Sequence, residues 1–171
     1  MFDHPLSTPH AWADQAQVGD VLLFHFPSPD EPGPVLARPC LVIEESRNLR
    51  RRCLTLANSR PLWSISLVET SIDVIRPAEL AAAGLDQSTA FDAYRALLIS
   101  VHNASFAIHP ETGTPIIGRL IGDSYERMQS VRAYLSTQSR IADRHRQELD
   151  NDLSGRGVTP RKPTLPEFPE E

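Results

Sequence analysis

The side chains best equipped for chemistry in this sequence are arginines, and they gather at two places. Arg38 stands beside Pro39 at the head of the apolar run "RPCLVIEE", residues 38–45. Arg50, Arg51 and Arg52 crowd "RNLRRR", residues 47–52, the densest basic patch of the chain. A guanidinium is planar, permanently charged and carries paired N–H donors, which suits it to phosphates and carboxylates. Pro39 fixes its own φ and removes a backbone donor, so the chain enters the apolar run at a set angle with Arg38 at the mouth. Four further places bear reactive or stacking groups: Ser59 with Arg60, Trp63 beyond Pro61, Asp92 with Arg95 in "FDAYR", and His102 in "SVHNAS".

Each of these also has an ordinary structural use. Arg38 can pair with a nearby carboxylate, Ser59 can close a turn on its own backbone, and a charged hairpin tip keeps a protein soluble. Trp63 can pack in a core, Asp92 and Arg95 can form a surface ion pair, and His102 can be a satisfied loop residue. The larger chemical motifs are absent: there is no Gly-rich phosphate loop, no nucleophile elbow and no metal-spaced Cys/His cluster among the six histidines. No metal or cofactor is therefore expected.

The bulk composition sets wider limits. The 171 residues suit one domain with an appendage, and a formal net charge of −5 gives no overall pull toward nucleic acid. Any anion site must then be a local patch. Only Lys162 of the 17 basic residues is lysine. No window is long and apolar enough for a membrane span, and the N-terminus lacks a secretory pattern, so a cytoplasmic location is expected. Cys40 and Cys53 are too few for a disulfide scaffold and read as small buried hydrophobes. If the runs holding them pair about the "SRNLRRR" turn, the two fall near each other across the strands.

At the N-terminal end, residues 1–17 read as an irregular lead-in. "DVLLFHF" (20–26) is a strand, and "PSPDEPGPVLA" (27–37), with four prolines and a glycine, is a long connection. Residues 38–45 and 53–58 form the next two strands, followed by the short alternating segments "SISLVET" and "SIDVI". "RPAELAAAG" is a short helix with Pro77 in its first turn and Gly84 at its stop. Residues 89–101 are read as a long strand and "TPIIGRL" as a short one. The closing helix starts at Asp123, with Glu126 completing a capping-box pattern and Met128, Val131 and Leu135 on one face. The globular domain spans 18–139, and a charged, proline-containing tail, 140–171, is largely disordered, with helix continuing a few turns into it. The pattern implies an α+β, mainly β domain built on a small bent sheet or partly open barrel.

The order of segments adds a resemblance. "GDVLLFHF", the loop 27–37, "RPCLVIEES", "CLTLANS", "AAAGLDQST" and "IIGRLIGDSYERMQSVRAYL" follow one another as do the motifs of the PemK/MazF (Kid-like) toxins of type II toxin-antitoxin systems. The resemblance covers residues 18–137. It implies an SH3-like barrel with a short internal helix and a C-terminal helix, a homodimer, metal-free cleavage of single-stranded RNA, and silencing by a cognate antitoxin. By the same resemblance Arg38 clamps the scissile phosphate and Ser59 is a phosphate ligand. Proton transfer falls to Asp92, near Arg95, or to His102, and neither register reproduces the family spacing. The family's proline two residues before Ser59 is Ala57 here. Arg50, Arg51, Arg52, Arg60 and Arg95 are then candidates for contacts to the RNA backbone, and Trp63 for base stacking. A second implication is the same barrel without catalysis, serving as a protein- or nucleic-acid-binding module.

Overall fold

The computed structural model describes residues 11–27, 35–62 and 68–155, the last seven by backbone alone. In chain order they form α1 (Ala11–Gln15), β1 (Asp20–Phe24), β2 (Arg38–Asn48), β3 (Arg51–Arg60), a 3-10 turn at Val68–Thr70, β4 (Ser71–Val74), α2 (Pro77–Ala83), β5 (Thr89–Ser100), β6 (Ile116–Arg119) and α3 (Gly122–Gly155). The strands make one six-stranded sheet in the order β4-β5-β3-β2-β1-β6, and every neighbouring pair is antiparallel. The chain divides after Leu135, so the sheet lies in a first unit and the latter part of α3 in a second.

Both faces of the sheet are covered, which explains why the start of β2 is apolar without interruption. Leu41 joins a cluster with Phe91, Ile72, Leu120, Met128 and Val131, whereas its neighbour Val42 joins Leu22, Phe24, Leu54, Leu56 and Trp12 on the other side. Alternation along a strand requires that split. The second cluster corrects the reading of residues 1–17 as wholly irregular. Residues 11–15 are helical, and Trp12 is buried with its ring 4.8 Å from that of Phe106. Trp12 buries a large apolar area, with Ala13 and Ala16 buried beside it.

The expected basic turn is also shorter than read. Pairing runs on to Asn48↔Arg51, leaving only Leu49 and Arg50, both at positive φ (48° and 66°), at the tip. A two-residue turn of this hand matches the twist of a tight hairpin. The register parts the two cysteines: Cys40 lies opposite Asn58, and Cys53 opposite Ser46. Their expected proximity is thus corrected, and both are buried free thiols.

Two glycines decide how α2 meets β6. Gly84 ends α2 in the left-handed region, and a Cβ there would lie 2.2 Å from the Ile117 carbonyl oxygen. A Cβ on Gly118 would lie 2.3 Å from the carbonyl carbon of Ala83. "AAAGL" and "GRL", distant in sequence, are therefore two sides of one close backbone contact. The start of α3 is held from the same place. Buried Glu79 of α2 accepts the N–H groups of Asp123 (2.8 Å) and Ser124 (3.4 Å) through Oε1. A carboxylate from another helix thus caps α3, in place of the expected Asp123–Glu126 box, and it meets the positive end of the helix dipole. Asp123 instead pairs with Arg76 at 2.5 Å.

In the second unit, helix occupies the first part of the expected tail, through Gly155. No proline or glycine interrupts residues 136–154, and arginine, glutamine and glutamate favour helix there. Among the described residues no helix is long and apolar enough to cross a membrane.

Candidate functional site

Pro39 and the pairing of Cys40 with Asn58 bring the head of β2 beside the end of β3. Arg38 lies opposite Phe24 of β1, while Ser59 and Arg60 lie opposite Phe91 and Ala90 of β5. These three residues line one groove of about 990 Å³. Its other walls come from two connections: Asp86, Gln87 and Ser88 between α2 and β5, and His109 and Glu111 between β5 and β6. The groove thus gathers two guanidiniums, serine and threonine hydroxyls, an amide and an imidazole, together with the carboxylates of Asp86 and Glu111. The guanidiniums, hydroxyls and imidazole can hold an anion, and the two carboxylates oppose one that lies close to them.

Asp92 adjoins this constellation. Its Oδ2 is 3.6 Å from Nε of Arg60, within ion-pair range but too long for a hydrogen bond, and its Oδ1 accepts the Tyr94 N–H at 3.2 Å. Nε of Arg60 and Oδ1 of its neighbour Asn58 are buried without hydrogen-bond partners among the described residues. The cluster is held by charge and packing more than by directed bonds. Cys40, underneath, is no nucleophile: burial pushes its thiol up to about 12, despite the opposing pull of the Arg38 charge and the Ser59 N–H.

Other expected site residues lie elsewhere. His102 follows β5 at its far end, where Ser100 pairs with Cys53 and the Val101 N–H bonds the Arg52 carbonyl. Ten residues of extended chain carry it on the order of 30 Å from Asp92. It does not line the groove, and β5 runs in the direction that takes it to the opposite end of the sheet. Arg95 is exposed on β5, outside the groove. Trp63 lies outside the described residues. Arg50 and Arg51 are exposed at the hairpin tip.

Arg52 is spent on structure. Its guanidinium donates to the carbonyls of Ala13 and Ala16, tying down α1, and pairs with Glu45 at 3.0 Å. Arg52's hydrogen bond holds the Glu45 carboxyl below the usual carboxylate range. The expectation that Arg52 contacts RNA is therefore corrected: its donors already satisfy buried carbonyls.

His109 and Glu111 went unnoticed in the sequence. The signal available was "HPETGTP", a turn-forming stretch inside the long β5–β6 connection, where a histidine held by a scaffold is better placed for function than one on a strand. Among the described residues, no group of three or more His, Cys, Asp or Glu side chains is arranged to hold a metal ion. No protein-family model matches the chain, and no curated protein matches it by sequence.

Proposed function

We propose that this chain is a divergent PemK/MazF-like toxin, an SH3-like barrel that cleaves single-stranded RNA without a metal. The observation that carries the reading is the convergence of Arg38, Ser59 and Arg60 on one groove. By the resemblance Arg38 and Ser59 stand at the family's phosphate-handling positions with Arg60 beside them, and the glycine contact between α2 and β6 gives the "AGL" and "GRL" motifs a common structural reason.

In this reaction the RNA 2′-oxygen attacks the adjacent phosphorus as its proton leaves to a base. The bond to the 5′-oxygen breaks as that oxygen gains a proton, giving a 2′,3′-cyclic phosphate and a 5′-hydroxyl. Arg38 supplies fixed positive charge for the oxygens of the phosphorane, where such a donor is worth most. Ser59 donates its hydroxyl to a phosphate oxygen. Asp92, oriented by the Arg60 charge, is the acid–base group adjoining the groove. In this reading the protein works as a homodimer and is silenced by an antitoxin.

A second reading, the same barrel as a binding module without catalysis, is favoured by one observation: Asp92 is already engaged by Arg60 and by the Tyr94 N–H. Incubating a long single-stranded RNA with wild type and Arg38→Ala in EDTA separates the two. Discrete fragments with cyclic phosphate ends that vanish in the variant support the nuclease. Intact RNA that stays bound to the folded protein supports the binding module. RNA neither cut nor bound overturns the nuclease and the nucleic-acid-binding module, leaving the barrel as a protein-binding module.

A further inference from the structure

We infer that His109 donates its Nε2–H to a phosphodiester oxygen of RNA lying in the groove; this rests on the RNA reading above. His109 shares the groove with Arg38, Ser59 and Arg60, although it comes from a connection far along the chain. Its backbone is clamped on both sides. The His109 N–H donates to the Thr114 carbonyl at 2.9 Å, and its carbonyl accepts the Gly113 N–H at 2.9 Å. Gly113 takes a φ of 66°, which closes that turn. The imidazole is therefore carried on a closed turn.

The ring itself is oriented by one bond: Nδ1 accepts the N–H of Glu111 at 3.3 Å. A ring nitrogen that accepts a hydrogen bond carries no proton, so this contact assigns the neutral ring's proton to Nε2. Among the described residues Nε2 has no hydrogen-bond partner, which leaves its N–H for a ligand. A single fixed N–H in a groove also lined by Arg38 and Arg60 complements the several oxygens of a phosphodiester, each of which accepts a bond, while Glu111 and Asp86 lie on the same walls. The same tautomer argues against a base at Nε2, because a base needs a lone pair there. His109 is thus a positioning and recognition residue, distinct from the acid–base group.

The test is binding of a fully 2′-O-methylated single-stranded RNA, which lacks the attacking hydroxyl, to the full chain. The proteins are wild type, Arg38→Ala, His109→Ala and His109→Gln, with matched thermal unfolding as the folding control. Removing one hydrogen bond to a charged group weakens binding by about tenfold, so His109→Ala loses about that much. The amide N–H of glutamine substitutes for Nε2–H, so His109→Gln stays within about threefold of wild type. Arg38→Ala loses more than His109→Ala. If His109→Ala binds as wild type does while Arg38→Ala is weakened, the His109 assignment falls and the RNA reading stands. Should His109→Gln be as weak as His109→Ala, the donor assignment falls. If wild type binds no RNA, the RNA reading fails and takes this inference with it.

Discussion

The β2–β3 hairpin carries arginines at both ends, and the two ends use them in different ways. At the tip, Arg52 is consumed by the carbonyls of Ala13 and Ala16 and by Glu45, while Arg50 and Arg51 stand in water around a two-residue turn. At the mouth, Arg38 and Arg60 line a concave surface with Ser59 and His109. The tip has the higher density of charge and the mouth has the shape. A cation on a convex, hydrated tip is screened by solvent and salt. Inside a groove, low-dielectric walls focus the same charge onto whatever enters. Counting arginines along the chain ranks the two ends by charge alone and misses the groove at the mouth.

The largest effect expected on this comparison comes from the backbone contact beside the mouth. Gly84→Ala adds a Cβ that meets the Ile117 carbonyl and forces a left-handed alanine, so a loss of about 4 kcal/mol is expected in denaturant unfolding. A variant as stable as wild type would mean that α2 and β6 can separate freely. Next is Arg52→Ala, which strands two carbonyls of the N-terminal segment. About 2 kcal/mol of stability should go, with RNA cleavage unchanged at temperatures where the variant is folded. Loss of cleavage by a folded Arg52→Ala would return the tip to the functional surface.

Alkaline pH probes the packing beneath the mouth. The Cys40 thiol is raised from its ordinary 9.0 to about 12 in the folded protein, so folding holds its proton more tightly. Its stabilising effect is complete below pH 9 and is lost as pH climbs toward 12, at about 1.4 kcal/mol per pH unit. Unfolding measured between those limits should show a steeper decline for wild type than for Cys40→Ala. Equal slopes would show that the thiol is not the group responsible. The smallest effect belongs to the tip itself: Arg50→Ala with Arg51→Ala should change stability by less than about 0.5 kcal/mol, because both side chains are exposed.

Much of the framework was legible because local chemistry and tertiary structure agree. Pro77 and Gly84 mark α2, Met128 and Val131 mark the buried face of α3, and alternation marks β4. What escaped depends on contacts between distant segments. Nothing near Trp12 announces that Phe106 will cover it, and nothing near Asp123 announces that Glu79 will cap the helix. The site divides in the same way. Arg38, Ser59 and Arg60 follow from neighbouring strands and could be placed together from their order. His109 enters from a connection whose path no periodicity describes, and His102, the alternative to Asp92, is carried away by the direction of β5. The cysteines follow from the centre of the turn and not its length: a hairpin centred on Leu49 and Arg50 sets Cys40 against Asn58 and Cys53 against Ser46.

The central claim, that function resides at the mouth of the hairpin and not at its tip, is tested most directly by comparing RNA cleavage rates in EDTA. The proteins are wild type, Arg38→Ala and the double variant Arg50→Ala, Arg51→Ala, all confirmed as folded. Loss of one positioned donor to a developing phosphorane lowers the rate by about 10²- to 10³-fold, so Arg38→Ala should fall that far while the tip variant stays within about twofold. A tip variant that loses cleavage while Arg38→Ala keeps it would contradict the account.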